Sequence, residues 1–536
     1  MRFLRRTEAS RNAKNFVQAL EIDGWPAQNE TTALLLVTGI ALTIRIYLSL
    51  TSYCISGDGV AYLAMAHHFS HGEWLAGLDS VYSPLYPALI SLMHRWVTDW
   101  EMAGNLVSTV LGTAAVMTTY LMTRAAFGRR DLASGAAVLI AVHPEIAAYS
   151  ASVRTEAGYI FFTTAACWLL LKAVNERRVQ LAAIAGLMGG LAYLYRTEAV
   201  GFFLLGILLL TADGLRSKQA THFWIASICA FSLVFMVIAA PYLAYLRVVG
   251  GHWSIGREFN AAMMYGMGDV AQNGEKWRQL GWSSDSSPLF AILGNPGLYA
   301  EKVGRYCIIS IYSFVQGLGP LLAVLLVVGI WTHRHRLFRT LNEVFLATIV
   351  LFYFCGFTLS YTGTRFMVHL IPFTFGWVTA GIIAVSAELA KWCRPTNRVI
   401  AYALVPTVIA LTLIPRTLWP IGYDMRGVRY AGEAIAQMTN GQAAVAARDG
   451  RVAYYARARL IELPASPPED LCAWLHAKGG DFLMVGNHDE RRFGVAHGGR
   501  CLALVKRYPR YGSGYYDLYE VTQPQQGLRP STSNAG

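Results

Sequence analysis

The chain has 536 residues, of which 54% are hydrophobic and only 15% charged, with a mean hydropathy of +0.36. That balance excludes a water-soluble protein of this length and fits a polytopic membrane protein. The formal net charge is +12, but no basic, aromatic-interleaved soluble patch accompanies it. The excess therefore reads as an orientation signal and an attraction to anionic lipid, and a nucleic-acid role is a poor fit.

In chain order, a polar segment of residues 1–30 carries Arg2, Arg5, Arg6, Arg11 and Lys14 and reads as cytoplasmic. It lacks a signal-peptide pattern, so the first apolar span is the targeting element. Apolar stretches recur at 31–50, 102–123, 132–150, 156–173, 179–195, 199–212, 221–246, 306–331, 342–360, 367–390 and 398–415. Each approaches the roughly 20 residues that cross a bilayer, which gives about eleven transmembrane helices, the fifth and sixth being short. Inner connections carry Arg124/Arg129/Arg130, Lys172/Arg177/Arg178, Arg216/Lys218, Arg334/Arg336/Arg339 and Lys391/Arg394/Arg398. The outer connections show Arg95, Arg154, Arg196 and Arg365 singly. This alternation puts the N-terminus inside, and an odd number of spans puts the C-terminus outside.

Within the 31–420 membrane domain, a first outer loop (51–101) contains amphipathic stretches at Val60–Phe69 and Leu85–Trp96, expected as interfacial helices. A second long outer loop (247–304) is rich in Gly, Ser and aromatics, among them Trp253, Tyr265, Trp277, Trp282 and Tyr299. After Pro420 the hydropathy drops. Strand-like runs at 443–447, 482–485, 502–505 and 515–521 alternate with helix-like stretches near 427–439 and 469–478, which predicts a small extracytoplasmic α/β domain over 421–522. A Gln-, Ser- and Pro-rich tail, 523–536, reads as disordered. Cys54, Cys167, Cys229, Cys307, Cys355 and Cys393 lie in or beside spans and read as small buried apolar residues. Cys472 and Cys501 fall in the outer domain, where a disulfide is permitted.

The informative residues are ionisable groups at span ends, because such groups near the hydrocarbon are costly and tend to be functional. Asp58 stands directly after the first span and could serve as a catalytic carboxylate or cap the helix that follows it. Glu156 opens the fourth span and could act in the site or pair with Arg154 or Arg196. His143 and His369 could reach the same region or rest between helices as satisfied polar groups. The cluster His67, His68 and His71 lacks a carboxylate at ligand spacing and makes a poor metal site.

Several motifs appear in a telling order: Asp58-Gly59-Val60-Ala61-Tyr62, Tyr82-Ser83-Pro84-Leu85-Tyr86-Pro87, His143-Pro144-Glu145, and Val153-Arg154-Thr155-Glu156. Gly190 to Glu198, Arg365-Phe366 with Pro372, and Val452-Ala453-Tyr454-Tyr455 follow. Over residues 31–520 this series resembles the GT-C glycosyltransferases, and within them the bacterial relatives of the protein O-mannosyltransferases and of the aminoarabinose transferase. The chain departs from the latter by carrying Ser83 where that branch has a Lys before the Pro. The β-trefoil insertion of eukaryotic O-mannosyltransferases and the Trp-Trp-Asp motif of oligosaccharyltransferases are missing.

The resemblance implies a GT-C fold and transfer of a sugar from a polyprenyl-phosphate donor to a lipid, glycan or protein acceptor on the extracytoplasmic face of the inner membrane. Asp58 would be the general base and Glu156 the second acidic residue, the two able to share a divalent cation. Arg365, Arg196 and Arg154 would bind the donor phosphate, with Arg365 foremost. Tyr62, Tyr82, Tyr86, His143, Glu198 and His369 would line the substrate site. A transporter or lipid flippase is the alternative. Such a protein would place interrupted spans and ionisable groups near the bilayer midplane.

Overall fold

The computed structural model describes residues 27–522 apart from 218–220, 252, 257–261, 264, 268–291, 338–339, 394–396, 465, 496–500 and 511–513. The expected cytoplasmic segment up to residue 26, the tail 523–536, Trp277 and Trp282 therefore lie outside the described residues.

The bundle begins with α1 (Ala27–Leu50), followed by α2 (Gly57–Ser70), the single turn α3 (Trp74–Gly77) and α4 (Leu85–Met93). The helices α5 (Trp100–Phe127), α6 (Arg130–Val142), α7 (Pro144–Tyr149), α8 (Glu156–Glu176), α9 (Val179–Tyr195), α10 (Ala199–Arg216) and α11 (Thr221–Gly250) come next. After the second long loop come α12 (Pro296–Leu318), α13 (Pro320–Leu337), α14 (Leu341–Leu359), the short α15 (Thr364–Met367), α16 (Ile371–Trp392) and α17 (Arg398–Thr417). Among the described residues, 8 helices are long and apolar enough to cross a membrane, or up to 9 if the bent pair α12/α13 forms one span. The chain is a multi-pass membrane protein. The short α9 is helical as expected and packs against α8 and α11.

Two apolar stretches are not the straight spans that their hydropathy suggests. The stretch 132–150 breaks at His143-Pro144, because proline supplies no N–H and cannot continue a helix whose preceding carbonyls need donors. Those carbonyls are satisfied from elsewhere. Arg45, fully buried within α1, donates to the Ile140 and Ala141 carbonyls at 3.2 and 3.3 Å, and the Thr417 hydroxyl donates to Val142 at 2.6 Å. The stretch 306–331 is bent by 100° between Leu318 and Pro320. Gly319, at φ 90°, takes a left-handed conformation that residues with a side chain rarely adopt. Only α13 runs along the bundle, packed against α16, while α12 turns across its end. Lys302, Tyr306, Ser310 and Ser313 of α12 are buried, and Ile308, Ile311 and Tyr312 are exposed.

The cysteines divide in a way that the sequence reading did not anticipate. Cys54 and Cys167 are buried, but Cys229, Cys307 and Cys355 are exposed on the apolar surface of the bundle and Cys393 is half-buried. Cys472 and Cys501 form a disulfide.

The C-terminal region starts with α18 (Arg426–Thr439) and continues through β1 (Ala444–Ala447), α19 (Gly450–Ala456), β2 (Arg459–Glu462), α20 (Leu471–Lys478), β3 (Phe482–Gly486), α21 (Asn487–Arg492), β4 (Leu502–Pro509) and β5 (Tyr515–Val521). The sheet order is β2-β1-β3-β5-β4, with β1 parallel to β2 and β3, and β5 antiparallel to β3 and β4. Strand alternation divides the side chains between two cores. Val445, Ala447, Phe482 and Met484 pack on Val428, Ile435 and Val452 of α18 and α19. Ala444, Ala446, Leu483 and Val485 pack on the other face, with Leu475 of α20.

Candidate active site

Four separate pieces of chain converge at one end of the bundle. Ser56 caps α2, its hydroxyl accepting from the Gly59 N–H at 3.0 Å and donating to the Val153 carbonyl at 2.7 Å. The cap is thus Ser56 rather than Asp58, which leaves the Asp58 carboxylate on the first turn of α2 free for other partners. Glu156 is the first residue of α8 and is fully buried. Arg196 ends α9, Glu198 stands in the turn before α10, and Arg365 lies on α15 just ahead of α16.

Arg365 joins the two principal carboxylates. Its Nε donates to Glu156 and its Nη1 to Asp58, so one guanidinium spans both acids. Arg196 approaches Glu156 from the other side at 3.8 Å, donates to Glu198 at 2.6 Å and to the Thr155 hydroxyl at 3.1 Å, and lies over the Phe366 ring. Burial alone would raise the Glu198 carboxyl, but the adjoining Arg196 guanidinium outweighs it and holds the group below the usual carboxylate range. The second Glu156 oxygen has no hydrogen-bond partner among the described residues. The Asp58 and Arg365 side chains remain about one-third and one-quarter exposed, at 33% and 27%, whereas Glu156 is sealed beneath them. The cluster therefore has an open upper layer, Asp58 and Arg365, resting on a buried lower layer.

The other residues singled out in the sequence divide into two groups. Tyr82 stands beside the open layer, its hydroxyl donating to Asp58 at 3.4 Å. Tyr62 packs edge-on against both Tyr82 and Tyr86. Tyr86 itself is fully buried, with its hydroxyl committed to Ser108 at 2.8 Å and the Gly104 carbonyl at 3.1 Å, and it supports the wall rather than facing the opening. Arg154 contributes positive charge near Glu156 while its guanidinium lies over the Tyr149 ring. His143 turns away to the helix break, where Nε2 meets the Leu318 carbonyl at 3.3 Å. His369 is buried under the cluster, its ring 4.8 Å from that of Tyr159, and neither ring nitrogen has a partner among the described residues. A cavity with room for about one water lies beside it, lined in part by Tyr159 and Tyr353.

Among the described residues no group of three or more His, Cys, Asp or Glu side chains is placed to hold a metal ion. Asp58 and Glu156 supply only two carboxylates, and Arg365 occupies the place between them. His68 is engaged by Glu73 at 2.6 Å, the acidic partner that sequence spacing did not reveal. Sequence reasoning also missed Thr155 as an Arg196 partner, as well as the buried Tyr159, whose hydroxyl donates to Tyr353 at 3.3 Å. Thr155 lies within the quoted Arg154-Thr155-Glu156 motif and Tyr159 three residues beyond it, which was the available signal.

Residues 81–245 match the family model described as dolichyl-phosphate-mannose-protein mannosyltransferase. No curated protein matches the sequence. Among solved structures, ArnT from Cupriavidus metallidurans bound to undecaprenyl phosphate aligns with a TM-score of 0.57 at 13% identity, over 92% of this chain and 100% of that one. The Archaeoglobus fulgidus oligosaccharyltransferase tethered with an acceptor peptide aligns with a TM-score of 0.59 at 13% identity, over 86% of this chain and 69% of that one. The site-bearing bundle and its small terminal sheet together thus have the fold of the GT-C glycosyltransferases, with a mannosyltransferase-type sequence segment running from the first loop into α11.

Proposed function

We propose that the protein is a glycosyltransferase that moves a sugar from a polyprenyl-phosphate donor to a hydroxyl-bearing acceptor at the extracytoplasmic face of the inner membrane. The observation that carries this reading is the half-open Asp58–Arg365 pair over a buried Glu156. It sets a base and an anion-binding guanidinium side by side where a lipid-borne phosphate can reach them. The lipid phosphates bound to similar structures, undecaprenyl phosphate in ArnT and dolichol phosphate in the archaeal oligosaccharyltransferase, support a polyprenyl-phosphate carrier for the donor sugar.

In the reaction, Asp58 takes the proton from the acceptor hydroxyl as its oxygen attacks the anomeric carbon. The bond between that carbon and the phosphate oxygen breaks with inversion, and the lipid phosphate leaves with the electron pair. Arg365 and Arg196 stabilise the charge that develops on it. Tyr82 orients Asp58, while Glu156 holds Arg365 in place. Cations crowd the opposite end of the bundle, with Arg124, Arg129 and Arg130 around the α5–α6 turn and Arg177 and Arg178 at the α8–α9 turn. By charge asymmetry that end is cytoplasmic, which supports an extracytoplasmic site.

The test is transfer of radiolabelled sugar by the purified protein from a panel of short-chain polyprenyl-phosphate monosaccharides, with total envelope material as acceptor and Asp58→Asn run in parallel. Transfer that disappears in the variant supports the reading, and the labelled product identifies sugar and acceptor. Folded wild-type protein that transfers nothing from any donor would shift the assignment to lipid or solute transport.

A further inference from the structure

The strip Tyr53–Ser56 joins α1 to α2 and ends two residues before Asp58, yet much of it is held by the α/β domain. The Tyr53 N–H donates to the Ile421 carbonyl at 2.9 Å. The Cys54 side chain is 3% exposed and belongs to the α/β core beside Val428 and Val452. The Ile55 N–H donates to the Tyr455 hydroxyl at 2.7 Å, and its carbonyl accepts from Arg451 at 3.5 Å.

Tyr455 uses its hydroxyl in both directions. While accepting from Ile55, it donates to Glu101 in the first turn of α5, at 3.1 Å to Oε2 and 3.3 Å to Oε1. Burial, then the Glu101 charge, push this phenol above its ordinary range, which keeps its proton available for that bond. Arg429 covers the ring at 5.1 Å. One side chain of the α/β domain therefore ties the backbone just before α2 to a helix of the bundle.

We propose that Tyr455 is a positioning residue for Asp58: through the Ile55 N–H and Glu101 it fixes the start of α2, and with it the distance from the Asp58 carboxylate to Arg365. This rests on the reading of Asp58 as the base. A hydroxyl 400 positions downstream of Ile55 in the chain gives the α/β domain a part in catalysis that requires no contact with substrate.

The experiment uses full-length protein and Tyr455→Phe, which keeps the ring and its Arg429 contact. Hydrogen–deuterium exchange should rise in residues 53–62, while the peptides of β1 and β3 stay protected. Unchanged exchange in 53–62 would overturn the proposal whatever the activity shows. In the transfer assay, kcat should fall about tenfold with the KM for the lipid donor unchanged within about twofold, the pattern of a misplaced catalytic group. Adding Tyr455→Phe to Asp58→Asn should cause no further loss, because both changes act through one carboxylate. Losses that multiply, or a change confined to KM, would make Tyr455 a merely structural residue. If wild-type protein transfers nothing, the Asp58 reading falls, and the exchange result alone decides whether Tyr455 fixes the strip.

Discussion

Arg365 follows Glu156 by 209 positions, yet its Nε donates directly to the Glu156 carboxylate. The pairing fixes the order of the site from the bottom up. Glu156 is sealed at the head of α8, Arg365 lies over it, and Asp58 reaches Arg365 from the exposed side. A buried carboxylate flanked by two guanidiniums is tolerated because the charges are mutually compensated.

Removing the buried member should therefore cost more stability than removing the exposed one. Glu156→Gln leaves Arg365 and Arg196 facing each other with less compensation and should destabilise the detergent-solubilised protein by about 3 kcal/mol. Asp58→Asn should change the melting temperature little while lowering kcat by roughly 10²–10⁴-fold. Thermal unfolding followed alongside transfer activity separates the two. Equal melting temperatures for both variants would disprove the layered arrangement.

Metal removal offers a second test of the same geometry. Because a guanidinium already bridges the two carboxylates, transfer should survive exhaustive EDTA treatment, and added Mg²⁺ or Mn²⁺ should raise it by less than about twofold. A steep, saturable metal requirement would mean that Arg365 leaves this position in the working enzyme.

The residues of this cluster were legible in the sequence because each is an ionisable group at the end of an apolar span, where its cost demands a reason. The fold around them was less so. The run 306–331 carries no charged residue, and hydropathy carries no direction, so the 100° bend at Gly319-Pro320 stayed hidden although both residues are known helix breakers. Strand β2 was missed because it is short and mostly exposed, with Arg459 and Glu462 at its ends and Ile461 alone buried. Tyr455 stood in the quoted Val452-Ala453-Tyr454-Tyr455 motif, but its contacts could not be read there, since its partners Ile55 and Glu101 lie more than 350 positions away.

Arg45 was visible in the sequence as an arginine inside the first apolar span, 31–50. It closes the carbonyls that the Pro144 break leaves open, with a further bond to Ala41 at 3.1 Å. Arg45→Leu should cost about 2–4 kcal/mol, since two buried carbonyls lose their donor in a medium without water. Arg45→Lys should recover only part of this, because a single ammonium cannot reproduce the planar fork. Melting temperature and the yield of monodisperse protein provide the measurement, and a Leu variant as stable as wild type would show that the break is satisfied in some other way.

The packing of α13 on α16 leads to the last prediction. A Cβ added to Gly329 would lie 1.7 Å from the Trp377 carbonyl oxygen, and one added to Gly381 would lie 1.9 Å from that of Leu325. Two backbones approach this closely only where neither residue carries a side chain, which is how membrane helices gain packing without a hydrophobic driving force. Because α16 continues directly from the segment that bears Arg365, forcing these helices apart should disturb the site as well as the bundle. Gly381→Ala should lower the melting temperature by several degrees and reduce transfer, and Gly329→Ala should do the same, since each acts on the same contact. The double variant should then be less harmful than the sum of the two, as the helices need separate only once. Gly356→Ala provides the control: a Cβ there meets nothing within 4 Å, and it should be neutral or stabilise by up to about 1 kcal/mol through its effect on helix propensity. If Gly381→Ala behaves like Gly356→Ala, the two helices are not held at backbone contact.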